Sequence, residues 1–146
     1  NYNPLRRIVE EQVDFAAVRA SGLKLFLSAT NVETGKVRVF ARDEITADTV
    51  LASACLPQAF QAVEINGTPY WDGGFMGNPS LFPLIYSGAP ADVLLVILNP
   101  LTRPGTPKRA AEIQERLNEI SFNASLIGEL RAIAFVQRLI DDGMLK

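Results

Sequence analysis

Three consecutive residues, Asp72, Gly73 and Gly74, form the stretch of this sequence with the clearest potential for chemistry. A carboxylate can accept the proton of an attacking hydroxyl group, and two glycines would let other backbone approach that carboxylate closely. The simpler interpretation is a turn, because Asp bonds nearby amides and Gly accepts positive φ. Taken alone, the three residues favour the turn.

The element directly before Asp72 favours function. Val63-Glu64-Ile65 and Pro69-Tyr70-Trp71 flank Asn66-Gly67, which is a strong two-residue signal for a β-hairpin. Asp72 is therefore predicted to lie at a defined strand end.

The rest of the chain alternates predicted helices and strands. Downstream, Asp92–Leu98 (DVLLVIL) is nearly all apolar and rich in branched residues, which predicts a strand buried on both faces. The other predicted elements are a helix starting at Asn3-Pro4, strands over 23–30 and 37–41, a helix from Thr46 to about Leu56, a short helix starting at Asn78-Pro79, and a long helix from Thr106-Pro107 to about Gly143 with a break near 121–123. Small residues at 52–55 would let the Thr46 helix pack closely. This alternation predicts the α/β class.

Composition sets limits on function. The chain has 146 residues, enough for one domain with a core, and its net charge of −2 offers no basic field for nucleic acid. The single cysteine, Cys55, cannot form an intrachain disulfide, and we expect it to be a packed thiol in a reducing compartment. There is no histidine, so hydrolytic chemistry would need another base unless a further segment supplies an imidazole.

Three other clusters have a commoner structural interpretation beside a functional one. They are the acidic Asp43, Glu44 and Asp48, the basic Arg103, Lys108 and Arg109, and the apolar Phe75, Met76, Leu81 and Phe82. The acidic cluster lacks the spacing of a metal site. The basic cluster is expected to be solvated but could meet anionic headgroups, and the apolar cluster is expected in the core but could line an acyl pocket. No nucleotide-binding fingerprint occurs, so no cofactor is indicated.

A nucleophile is missing from the sequence. A serine hydrolase of α/β architecture carries its serine in a G-x-S-x-G elbow. None of the seven serines lies in that setting: Ser21, Ser28, Ser53, Ser80, Ser87, Ser121 and Ser125.

Residues 51–85, LASACLPQAFQAVEINGTPYWDGGFMGNPSLFPLI, resemble the patatin-like phospholipases of the bacterial type. The matching pieces are the small-residue helix ending in Leu56-Pro57, the hairpin, and the Asp-Gly-Gly motif followed by Asn78-Pro79. The segments GLKLFLSATNVETGKVRVF upstream and RLNEISFNASLIGELRAI downstream extend the resemblance from about Asn3 to Asp142.

The resemblance implies a three-layer α/β/α sandwich that is present here only in part, with residues 1–146 as the C-terminal portion of one catalytic domain. It implies hydrolysis of lipid acyl esters by a serine–aspartate dyad without a cofactor or metal. Asp72 would be the base, Gly73 and Gly74 would support it, and the serine would lie upstream of this chain. An ordinary aspartate, with a pKa of about 3.9, is a weak base. We expect burial near Trp71 and Phe75 to raise the pKa of Asp72, because burial disfavours the charged carboxylate.

The expected partners are a lipid acyl ester, a membrane surface contacted peripherally and the N-terminal part of the same domain, but no nucleic acid; the expected location is the bacterial cytoplasm. Two alternatives stay open: a truncated lipid- or protein-binding module without turnover, and, with less support, a nucleotide-binding domain with Asp72 on a ribose. An upstream G-x-S-x-G would support the enzyme, whereas a native start near Asn1 would support the binding module.

Overall fold

The computed structural model describes residues 3–88 and 92–145, and the chain forms two compact units, Asn1–Pro79 and Ser80–Lys146. The first unit contains helices α1 (Leu5–Gln12), α2 (Phe15–Ala20) and α3 (Ala47–Ser53) and strands β1 (Phe26–Asn31), β2 (Val37–Ala41), β3 (Val63–Ile65) and β4 (Thr68–Asp72). The second unit contains α4 (Phe82–Tyr86) and α5 (Ala110–Asp141).

The four strands form one antiparallel sheet in the order β2-β1-β4-β3. Two of the three pairings are the predicted hairpins, and the β3–β4 turn places Asn66 and Gly67 at φ values of 51° and 77°, as an Asn-Gly turn requires. The third pairing joins β1 to β4 and sets Ala29 opposite Asp72. This pairing brings the two hairpins into one sheet and places the candidate base at the end of an inner strand.

The core of the first unit lies where α3 meets this sheet. Its buried members are Ala29, Phe40, Ala52 and Tyr70, and the Phe40 and Tyr70 rings pack edge to face with centroids 5.5 Å apart. Ala52 is fully buried, because its small side chain lets the helix approach the strands. The close packing predicted from the small residues of this helix is confirmed.

The predicted helix start at Thr46 is confirmed, and the start predicted at Asn3-Pro4 is one residue early, because Pro4 is the N-cap and the helix begins at Leu5. The Asn3 side-chain oxygen accepts the Leu5 N–H at 3.0 Å, and the Thr46 hydroxyl accepts the Thr49 N–H at 3.3 Å. Helix α2 was not predicted. Its start is stabilised by Asp14, whose carboxylate accepts the Ala17 N–H at 2.9 Å.

In the second unit, α5 runs for 32 residues without interruption, so the predicted break near residues 121–123 is wrong. Asn123 is buried, and its amide donates to the carbonyl of Pro100 at 3.1 Å. Its polar side chain therefore binds a neighbouring loop and leaves the helix backbone intact. Helix α4 begins at Phe82, later than Asn78-Pro79 predicted, and the Glu129 carboxylate accepts the preceding Leu81 N–H at 2.6 Å.

The run Asp92–Leu98 is not a strand, and the prediction of a buried strand there is wrong. Leu94 and Leu98 are 89% and 92% exposed. A β-strand forms hydrogen bonds to a neighbouring strand. The described residues of the second unit contain no strand that could pair with this run. The α/β class itself is confirmed, as part of an α/β domain. None of the described helices combines the length and apolar character of a membrane span.

Candidate active site

Asp72 is held at the end of β4 by hydrogen bonds to both sides of its backbone. Strand β3 begins at Val63, which pairs with Tyr70, so β3 does not extend far enough to pair with Asp72. The Asp72 N–H instead donates to the Cys55 carbonyl at 2.8 Å, and the Asp72 carbonyl accepts the Thr30 hydroxyl at 2.8 Å. The segment that follows α3 and the Thr30 side chain on β1 therefore fix this strand end together.

The Asp72 carboxylate is half-buried and has one backbone donor. Its Oδ1 accepts the Gly74 N–H at 2.7 Å, within the 3₁₀ turn Gly73–Phe75 that follows β4. Burial raises the pKa of Asp72 above its usual value, and the hydrogen bond from Gly74 opposes this shift only in part. The direction expected from the sequence is confirmed, and the carboxylate is a stronger base than an exposed aspartate.

Gly73 is required by the approach of another strand. A Cβ atom built on Gly73 would lie 2.0 Å from the carbonyl oxygen of Ser28 and 2.4 Å from its carbonyl carbon. Gly73 does not have the positive φ that would by itself favour glycine. The residue that approaches belongs to β1, and it meets Gly73 itself. The expected approach of other backbone to the carboxylate stays a prediction.

Cys55 is a packed thiol, as predicted. It is fully buried, and its Sγ donates to the Gln61 carbonyl at 3.1 Å. Burial raises the pKa of this thiol, and the nearby Asp72 charge adds to the shift. A protonated, enclosed sulfur is a poor nucleophile, so the contribution of Cys55 to the site is its backbone carbonyl.

The acidic cluster is engaged in ion pairs. Asp43 contacts Arg42, Glu44 contacts Arg38, and Asp48 contacts Arg6. These contacts support the structural interpretation of this cluster.

The members of the basic cluster and of the apolar cluster differ in their exposure and pairing. In the basic cluster, Arg103 is paired with Glu115 and Glu119 at 3.0 and 3.1 Å. Lys108 and Arg109 are exposed, and Arg109 lies 3.9 Å from the Glu112 carboxylate. In the apolar cluster, Leu81 is buried, whereas Met76 and Phe82 are 45% and 39% exposed.

Sequence reasoning missed two residues of this site. Ser28 packs its carbonyl against Gly73, and Thr30 binds the Asp72 carbonyl. Both lie on β1, more than forty positions before the residues they contact. Only the β1–β4 pairing brings them there, and no local pattern in the sequence indicates that pairing.

A model of the family described as patatin-like phospholipase matches residues 2–94. The chain belongs to the patatin-like phospholipase family. The matched region of this patatin-like chain contains the whole sheet and the Asp72 site, and membership indicates a lipid acyl hydrolase at the level of the family. The match stops inside the apolar run 92–98, so the resemblance noted for later residues stays a prediction. No curated protein sequence gives a significant match.

Proposed function

We propose that the full-length protein hydrolyses lipid acyl esters with a serine–aspartate dyad, in which Asp72 is the general base and the serine lies outside these 146 residues. Residues 1–146 are then the C-terminal portion of one catalytic domain of the bacterial type. The observation that carries the proposal is the half-buried Asp72 carboxylate, with a raised pKa, at a strand end fixed on both sides. The family match around it supplies the reaction class.

In the proposed reaction, the serine hydroxyl attacks the ester carbonyl while Asp72 takes the hydroxyl proton. Collapse of the tetrahedral intermediate forms the acyl-serine, and Asp72 returns its proton to the departing alcohol oxygen. Water then attacks the acyl-serine, again losing a proton to Asp72, and the fatty acid leaves as the serine is reprotonated. Gly74 holds Oδ1 through its N–H, so we assign proton transfer to Oδ2.

The geometry explains how a carboxylate does this without histidine. Burial disfavours the charged form of Asp72 and so raises its affinity for a proton, which brings it closer to the strength that general-base catalysis needs. Backbone amides of an upstream segment would bind the oxyanion. The proposed reaction uses neither a metal nor a cofactor.

The substrate and the setting belong to the same proposal. The substrate is an acyl ester of a lipid, reached by peripheral contact with a membrane from the cytoplasm. Exposed Lys108 and Arg109 offer charge for anionic headgroups, and exposed Leu94 and Leu98 offer apolar surface. Nucleic acid is not a partner in this proposal.

Covalent trapping of the nucleophile tests the proposal. Full-length protein would be treated with a fluorophosphonate, assayed on a short acyl ester, and digested for peptide mass mapping. We expect turnover to be lost in proportion to modification, with the modified serine outside residues 1–146. A modified serine within these residues, or a full-length protein without esterase activity, would contradict the proposal and favour the binding module.

A further inference from the structure

We propose that Thr30 is a positioning residue for Asp72, which orients the carboxylate by holding the Asp72 peptide through its side-chain hydroxyl. The inference rests on the proposed function, because it assigns to Thr30 a role in the reaction that Asp72 performs. It adds a residue that neither the motif nor the family match singles out.

The contact is well defined and sheltered. Thr30 Oγ1 lies 2.8 Å from the Asp72 carbonyl oxygen, and Thr30 is only 7% exposed. In the register of the sheet, Thr30 stands opposite Trp71, while Ala29 stands opposite Asp72. The hydroxyl therefore reaches one residue along the neighbouring strand. A β-branched side chain has few allowed rotamers, so the hydroxyl is held in place at low entropic cost.

The position of this contact matters because β4 ends at Asp72. Beyond it the chain passes into Gly73 and Gly74, which have no side chains to fix their conformation. The Asp72 carbonyl belongs to the peptide that joins the strand to this turn. Without the Thr30 hydroxyl, the Asp72 carbonyl would lose this hydrogen-bond donor. A small tilt of the peptide would then move the carboxylate with the Cα atom to which it is attached.

A small displacement is enough to slow the reaction. Proton transfer requires the base within hydrogen-bonding distance of the hydroxyl, and a misplacement of about 1 Å can cost about 100-fold in rate. Loss of the Thr30 hydroxyl should therefore lower kcat and leave KM nearly unchanged, because Thr30 orients the base and contributes no contact that binds substrate. If Thr30 acts only in folding, its removal would lower the melting temperature while the folded protein kept its kcat.

The experiment measures kcat, KM and thermal melts of the full-length protein on a short acyl ester. Thr30→Val removes the hydroxyl at nearly constant shape, and Thr68→Val makes the same change on β4, away from Asp72, as the matched control. A second pair consists of Thr30→Ser and Thr30→Ala. Both variants lack the γ-methyl group of threonine, and only the serine variant keeps the hydroxyl.

We expect Thr30→Val and Thr30→Ala to lower kcat by about 10- to 100-fold, while Thr30→Ser recovers most of the loss and Thr68→Val keeps the wild-type kcat. If Thr30→Val does not fold, the kcat of Thr30→Ser compared with that of Thr30→Ala tests the role of the hydroxyl.

Asp72→Asn, assayed in parallel, separates two kinds of failure. If Asp72→Asn is inactive but the variants without the hydroxyl keep the wild-type kcat, the role of Thr30 is overturned and the proposed function stands. If Asp72→Asn itself keeps wild-type turnover, the proposed function fails and this inference fails with it.

Discussion

The carbonyl oxygen of Ser28 occupies the position where any side chain on Gly73 would begin, with 2.0 Å between that oxygen and an added Cβ atom. A side chain at this position would therefore force β1 or the turn to shift. The same contact keeps β1 tight against the turn that follows Asp72. The second residue of the Asp-Gly-Gly motif is thus explained by packing, without any appeal to the reaction.

We expect Gly73→Ala to lower the free energy of unfolding by about 1–3 kcal/mol, because the atoms that its methyl group meets are backbone atoms that cannot rotate away. Gly22→Ala is the matched control, since an added Cβ there meets nothing within 4 Å. Urea unfolding of both variants measures the difference. Equal stability of Gly73→Ala and wild type would show that β1 does not lie this close to the turn.

Cys55 should resist modification in the folded protein. Its thiol is fully buried, donates to the Gln61 carbonyl and has a raised pKa, so little reactive thiolate is accessible at neutral pH. We expect a maleimide to label the native protein slowly and the urea-unfolded protein rapidly. Rapid native labelling would contradict the packing of α3 against the end of β4.

Asp72 should destabilise the fold when it is charged. Its folded-state pKa lies above the unfolded value of about 3.9, so the folded protein binds this proton more tightly. The resulting stabilisation is present below pH 3.9 and is lost as the pH rises through the folded pKa. Asp72→Asn carries no charge at any pH, so we expect it to raise the free energy of unfolding at pH 7, with no gain below about pH 3.9.

Denaturant unfolding at the two pH values measures this effect. Asp92→Asn, at an exposed aspartate, is the control and should change stability little. If Asp72→Asn is less stable than wild type at pH 7, the carboxylate is held by favourable interactions that outweigh its burial, and the raised pKa is wrong.

The sequence predicts well what is decided within a few residues. The Asn66-Gly67 turn, the Thr46 cap and strand β2 at Val37–Ala41 all follow from local preferences of the backbone. The direction of the Asp72 pKa shift was also predicted, because the motif follows an apolar strand and burial there raises the pKa of a carboxyl group.

The misses have tertiary causes. Asn123 suggested a helix break, but its amide binds a carbonyl of the 99–100 loop. The apolar pattern of Asp92–Leu98 suggested a strand, but a strand needs neighbours that the described residues of its unit do not supply. Thr30 could not be found from its own sequence context, since its role comes from the pairing of β1 with β4.

The most direct test of the central claim is the turnover of a short acyl ester by full-length Asp72→Asn, measured beside its thermal melt. The amide keeps the size of the side chain and can still accept the Gly74 N–H, but it cannot take the serine proton. General-base catalysis contributes roughly 10²–10⁴-fold, so we predict a fall in kcat of that size, with a melting temperature equal to or above that of wild type. Near-wild-type turnover would show that Asp72 is only a turn residue, and loss of activity through a much lower melting temperature would show that its role is structural.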